Sequence, residues 1–160
     1  MVLGRAYDVL AGNALGRALF PHLAVGDNLL TSVFLDPSAR TFYADWLEAA
    51  TDTVAGFRLL HGARPHDPRV HAVLSTVTDR SPEFAAMWDH HDARGKRSAD
   101  KSVAHRGVGL VAVRMQAFDV RSAPGQQLVV YDAADQTSRD GLLLLGSLAS
   151  ESDARGVIHR

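Results

Sequence analysis

The chain has 160 residues, 46% of them hydrophobic, with 17 Lys and Arg against 18 Asp and Glu and no cysteine. That is the length of one domain, because domains cluster at roughly 100–150 residues. The balanced charge argues against a stand-alone nucleic-acid binder, whose affinity comes mainly from neutralising phosphates. The missing cysteines exclude disulfides, thiolate metal sites and thiol nucleophiles.

Arg5, Asp8 and Arg17 interrupt any apolar leader near the start, and no apolar run approaches the ~18 residues of a membrane helix. A strand is expected over about 6–11, then short helices over 13–20 and 28–35. Three further helix starts share one grammar. Asp36-Pro37, Asp67-Pro68 and Ser81-Pro82 each place a capping oxygen before a proline suited to the first helical position. After the first, Phe42, Trp46, Ala49, Thr53, Phe57 and Leu60 recur at helical steps and predict one helix over 37–61. Gly62 would end it as a left-handed C-cap. The second start predicts a helix over 68–79. The third puts Phe84, Met87, Trp88 and His91 on one stripe.

The period changes after Asp92. The segment 94–100 is polar and turn-rich, and beyond it Val111, Val113 and Met115 alternate with Arg114 and Gln116, as in a half-buried strand. A turn at 122–125 precedes 127–133, whose Leu-Val-Val-Tyr run predicts a strand buried on both faces. A loop over 132–140, a closing amphipathic helix over 142–148 and a flexible tail over 150–160 complete the chain. Helices followed by an antiparallel meander give an α+β domain over 1–149. Arg outnumbers Lys by 15 to 2, as in proteins from GC-rich bacterial genes.

Few residues carry chemistry by spacing. Asp89-His90-His91-Asp92 is dense in metal-capable groups, but helical neighbours diverge by about 100° and the i,i+4 pair of a helical metal site is missing. Pro65 and Pro68 separate His61, His66 and His71. There is no nucleophile elbow, P-loop or dinucleotide fingerprint; Gly107-Val108-Gly109 is a bare G-x-G. We therefore expect no metal, no cofactor and no enzyme. Arg94, Lys96, Arg97, Lys101 and Arg106 outweigh Asp92 and Asp100. That stretch reads as a solvated hairpin edge, as an anion site, or as a surface facing a DNA-bound partner domain. Phe34, Phe42, Trp46, Phe57, Phe84 and Trp88 individually read as core; together they are bulky enough to enclose a cavity.

Longer motifs point to a family. GRAYDVLAGNALGRALF, the FLDPxARxxYxDW pattern in NLLTSVFLDPSARTFYADWLEAA, the RSPEFxxxWxxHD pattern in DPRVHAVLSTVTDRSPEFAAMWDHHD, and GQQLVVYDAAD occur in order. Over roughly residues 3–149 the chain resembles the ligand-binding domain of MmyB-like transcription regulators. The resemblance implies a Per-Arnt-Sim-like antiparallel sheet with several flanking helices, and a buried fatty-acid-like ligand. It also implies a helix-turn-helix domain before Val2, which this chain, beginning at Met1, does not contain. His105-Arg106 stands where the family carries His-Pro, which frees a backbone N–H at the strand entrance.

What the resemblance implies is a cytoplasmic sensor that binds a small apolar or fatty-acid-like effector, touches DNA only through a helix-turn-helix domain, can form a homodimer and has no membrane role. A dozen methylenes would gain on the order of 10 kcal/mol on burial, while the carboxylate needs a cationic or hydrogen-bonding partner. Arg40, His91, Lys101 and His105 are the candidate partners, and Phe34, Tyr43, Trp46, Phe84, Trp88 and Tyr131 the candidate walls. Two other readings remain: a ligand-free dimerisation or interaction module, and a small enzyme needing converging polar groups that no motif supplies.

Overall fold

The structure, a computed structural model, describes residues 1–90 and 100–157, with side chains as far as Ser150. The elements in order are β1 (Val2–Leu3), β2 (Val9–Ala11), α1 (Ala14–Leu19), α2 (Leu29–Leu35), α3 (Ala39–Phe42), α4 (Trp46–Ala63), α5 (Pro68–Arg80), α6 (Pro82–Asp89), β3 (Asp100–His105), β4 (Gly109–Asp119), β5 (Gln127–Ala133) and α7 (Gln136–Val157). The strands form one antiparallel sheet in the order β2-β1-β5-β4-β3. The fold is α+β, as expected. Met1 fastens the N-terminal hairpin to β5: its ammonium donates to the Val129 carbonyl at 2.9 Å, and the Val129 N–H donates back to the Met1 carbonyl at 2.8 Å. Among the described residues no helix is long and apolar enough to cross a membrane.

Both sheet edges are covered, which removes the usual template for strand-to-strand aggregation. On β2 the loop at 26–27 exchanges bonds with Val9, Val9 N–H to the Asp27 carbonyl at 2.8 Å and Gly26 N–H to the Val9 carbonyl at 2.9 Å. On β3 the Ala44 N–H donates to the Ser102 carbonyl at 2.9 Å, beside a bridge between Tyr43 and Val103.

That second contact corrects the long helix expected over 37–61. The Asp36 carboxylate accepts from Ser38 N–H at 2.8 Å, but this bond only turns the chain at Pro37: the helix starts at Ala39, with Ser38 before it and no side-chain cap. The helix then stops at Phe42, Tyr43 is extended at φ −79° and ψ 122°, and Asp45 opens α4 by accepting from Glu48 N–H at 2.9 Å. Tyr43 and Ala44 serve the β3 edge, while the apolar face keeps its phase on either side; the periodicity therefore reads straight through the break. Gly62 is likewise not a C-cap. It lies inside α4, and Arg64 ends the helix at φ −142°, because a residue before proline, here Pro65, is disfavoured in the helical region.

Other starts behave as their residues dictate. Asn13, Asn28, Asp67 and Ser81 cap α1, α2, α5 and α6 with side-chain oxygens, and Pro68 and Pro82 occupy the first turns of α5 and α6. The strand expected over 6–11 is a hairpin instead, β1 and β2 joined through Tyr7 at φ +68°. The strand over 127–133 is buried on one face only: Val129 is 3% exposed, but Leu128 and Val130 are each 42% exposed. Among the described residues the helices cover a single side of the sheet, so the Leu-Val-Val-Tyr run alternates between core and solvent despite its apolar content. Helix α7 begins within the expected 132–140 loop, where Asp135 accepts from Ser138 N–H at 2.7 Å. Its helical backbone runs to Val157, through positions expected to be a tail.

Two apolar clusters make the core. One, among α2, α4, α5 and α6, holds Leu30, Val54, Phe57, Val70, Val77 and Phe84. The other, between the sheet and α1, α3 and α7, holds Phe20, Phe42, Val103, Val111, Val113 and Leu145. His91 and the basic positions Arg94, Lys96 and Arg97 lie outside the described residues.

Candidate ligand-binding site

The residues singled out in the sequence do not converge on one cavity. Phe34, Trp46, Phe84 and Trp88 form an aromatic ladder between α2, α4 and α6. Phe34 stands edge-on to Trp46 at 5.7 Å and to Phe84 at 5.1 Å, and Phe84 stacks on Trp88 at 5.6 Å. The Trp46 indole N–H donates to the Val33 carbonyl at 2.9 Å. The Arg40 guanidinium lies 3.9 Å above the Trp46 ring and pairs with Glu83 at 2.6 Å. This ladder is helix-to-helix packing.

Tyr43 and Tyr131 belong to the sheet-side cluster. Burial pushes the Tyr43 hydroxyl well above the ordinary phenol range. Burial does the same to Tyr131, helped by the nearby Tyr43 and Tyr7. Both therefore stay neutral. Lys101 is already engaged, its ammonium donating to Asp52 of α4 in a pair whose side chains are only 12% and 14% exposed. His105 is engaged at both nitrogens: Nδ1 accepts from Gly107 N–H at 3.1 Å and Nε2 bonds to the Ala18 carbonyl at 2.9 Å, tying the β3–β4 turn to α1. Arg40, Lys101 and His105 thus have partners within the fold, and His91 lies outside the described residues.

A cavity of about 800 Å³ opens elsewhere, between α4 and the far half of β4. Val111 and Val113 bury under the helices, but the same inward face continues as Met115, Ala117 and Asp119 beyond the helical cover. Leu60, Val120 and Tyr7 complete its apolar wall. Tyr7 is held in its left-handed conformation by donating its N–H to the Gly4 carbonyl at 3.0 Å and accepting from Leu29 N–H at 2.9 Å. Its ring tilts on Phe57 at 5.7 Å. Its hydroxyl fills the space where a Cβ on Gly56 would go.

At the mouth the β4–β5 turn is closed by Val120 N–H to the Gln126 carbonyl and Ala123 N–H to the Val120 carbonyl, each at 3.0 Å. Gly125 in this turn has φ +94°, and the Arg64 guanidinium carbon lies 2.9 Å from where its Cβ would be. Of the lining carboxylates, Asp52 is paired with Lys101 and Asp119 accepts from the Gln127 amide at 3.0 Å. On the other side of the turn, a polar hollow of about 610 Å³ is framed by the Arg5–Asp67 pair at 3.3 Å and the Arg69–Asp8 pair at 2.6 Å. The Arg69 fork holds the Asp8 carboxyl below its ordinary value. Among the described residues no cluster of three or more His, Asp or Glu is arranged to hold a metal ion.

Residues 1–145 match the family model of the MmyB-like transcription regulator ligand binding domain. The chain belongs to this family. No curated protein matches it. The match takes in both core clusters and every residue lining the cavity. The MmyB-like domain is therefore a ligand-sensing regulatory module, of a kind that acts with a small-molecule ligand and a DNA-binding partner domain. The cavity residues Tyr7, Ala117 and Arg64 were not singled out in the sequence, and Met115 only as an apolar position of a half-buried strand. The one local signal was Arg64-Pro65, which stops α4 where the cavity begins.

Proposed function

We propose that this MmyB-like domain binds a small apolar, fatty-acid-like effector in the cavity between α4 and β4, and biases an attached or partner helix-turn-helix domain. The observation that carries the reading is a space of about 800 Å³ with a mainly apolar wall and a polar mouth. That is within the ~300–1,000 Å³ range of small-molecule sites. Ten methylenes buried there would gain about 8 kcal/mol, enough to survive an association cost of several kcal/mol. The antiparallel order β2-β1-β5-β4-β3 with helices on one face supports a Per-Arnt-Sim-like sensor. In this reading the domain is cytoplasmic, not catalytic, and needs no cofactor. The effector acts by binding one of two states more tightly, since equal affinity shifts nothing.

Native mass spectrometry of the purified protein tests it, together with Ala117→Trp, which fills the cavity from β4. The wild type should carry or take up a C10–C14 acid and gain thermal stability; the variant should fold and do neither. A variant that binds and stabilises like the wild type would refute the assignment. A ligand-free dimerisation module is the second reading. It is favoured by Phe118 at 51%, Leu128 at 42% and Val130 at 42% exposure on the uncovered sheet face, and concentration-dependent sedimentation with no ligand uptake would support it.

A further inference from the structure

We propose that Arg64 and Arg121 form an anion-recognition end to the cavity, so that its occupant is a single-chain amphiphile whose acidic head sits against the β4–β5 turn. The inference rests on the reading that this cavity is the effector site, and adds where the head group goes and which residues read it.

The mouth of the cavity carries more positive than negative charge. Arg64, Arg121, Asp52 and Asp119 all line the cavity. Lys101 neutralises Asp52 from β3, and the Gln127 amide satisfies Asp119. Neither Arg64 nor Arg121 has an ion-pair partner among the described residues. Three cations therefore meet two carboxylates: Lys101 and Asp52 cancel, the Asp119 charge offsets one guanidinium, and a net charge of +1 remains at the mouth, with both guanidinium forks free of an ion pair among the described residues. They come from opposite walls, Arg64 from the end of α4 and Arg121 from the turn after β4.

The turn is shaped around one of them. Gly125 adopts φ +94°, a conformation that side chains rarely take, and a Cβ there would press on all three terminal atoms of the Arg64 guanidinium at 2.9–3.0 Å. Glycine alone lets that planar group lie flat on the turn backbone. Its base is fixed as well, because Arg64 ends α4 with its N–H donating to the Leu60 carbonyl at 3.1 Å and precedes Pro65. A guanidinium fork so placed suits a carboxylate, which it can grip through two parallel bonds. Inward from this mouth Leu60, Met115 and Tyr7 supply the apolar wall for a chain.

The experiment is calorimetric titration of the lipid-stripped chain with decanoic acid and with decanol, both below their aggregation limits. The wild type should bind the acid at least tenfold more tightly than the alcohol, with the difference shrinking as salt rises. R64M and R121M should each lose most of that preference while leaving decanol affinity within twofold. G125A should act like R64M by displacing its guanidinium. Equal binding of acid and alcohol by the wild type, or an unchanged acid preference in both methionine variants, would overturn the anion site and leave the apolar cavity standing. Binding of neither probe would overturn both. Thermal melts identify any variant that fails to fold, and R121M, on an exposed turn, carries the test if R64M does.

Discussion

The buried Lys101–Asp52 pair gives the sharpest test of how this domain is built. Lys101→Met removes the cation and leaves the Asp52 carboxylate in the cavity wall without its partner. Both side chains are largely desolvated, at 12% and 14% exposure, so the loss belongs with broken buried pairs rather than surface ones. Such breaks cost about 3–5 kcal/mol. Because some water reaches this pair, the lower end applies, about 3 kcal/mol. With a urea slope near 2 kcal/mol/M, that is a fall of roughly 1.5 M in the unfolding midpoint. The double variant Lys101→Met with Asp52→Leu should recover most of it, since replacing both ions removes the uncompensated charge. Ligand binding discriminates further. Because Asp52 lies in the cavity wall, Asp52→Leu should free the Lys101 ammonium and strengthen decanoate binding relative to decanol. With Lys101 committed to Asp52, Lys101→Met instead exposes a carboxylate to the effector and weakens decanoate more than decanol. A loss below about 1 kcal/mol in Lys101→Met, with decanoate binding unchanged, would refute the placement of this pair.

Two further outcomes follow from the same packing. Gly56→Ala should destabilise by about 1–3 kcal/mol, the range for overpacking, because its methyl meets the Tyr7 hydroxyl; Tyr7→Phe in the same chain should restore most of the loss, and urea unfolding of the four chains in the cycle would show no such coupling if the contact is wrong. His22 is packed edge-on against Phe42 at 4.3 Å, and its Nε2 is buried without a partner among the described residues. Burial lowers its pKa below the ordinary 6.5, against the opposing pull of Asp36 and Asp27. The unfolded chain then binds more protons just below pH 6.5, so stability must fall as pH drops through that window. His22→Leu should flatten the change in urea midpoint between pH 7.5 and 5.5, and an unaltered slope would show that another group carries it.

Local rules located much of the fold because local atoms decide it. Asn13, Asn28, Asp67 and Ser81 cap helices with their own oxygens, and a short-range bond of that kind is visible in the order of residues. The breaks came from distant partners. Tyr43 and Ala44 leave the helix because β3, nearly sixty residues on, needs its edge covered. Leu128 and Val130 face solvent because, among the described residues, no helix packs on that side of the sheet, a fact that apolar content cannot carry. Tyr7 turns a would-be strand into a hairpin through bonds to Gly4 and Leu29, and residue type gives no warning of a tyrosine at positive φ.

The site was harder to read for a reason specific to charge. A cation is available to a ligand only if no carboxylate of the fold has taken it, and that depends on pairs formed across long separations. Arg40 lies 43 residues from Glu83, and Lys101 lies 49 from Asp52. Both looked free in the sequence and both are occupied. Arg64 and Arg121 looked ordinary, one before a proline and one before a turn, yet at the cavity they are the guanidiniums without an ion pair among the described residues. The same logic applies to the aromatics. Phe34, Trp46, Phe84 and Trp88 are large enough to wall a cavity, but rings 5.1–5.7 Å apart have satisfied one another. The open space lies instead where small and flexible side chains, Gly56, Ala117 and Met115, meet the uncovered end of β4. In this domain the residues with strong local signatures hold the frame, and the proposed effector site falls to those without them.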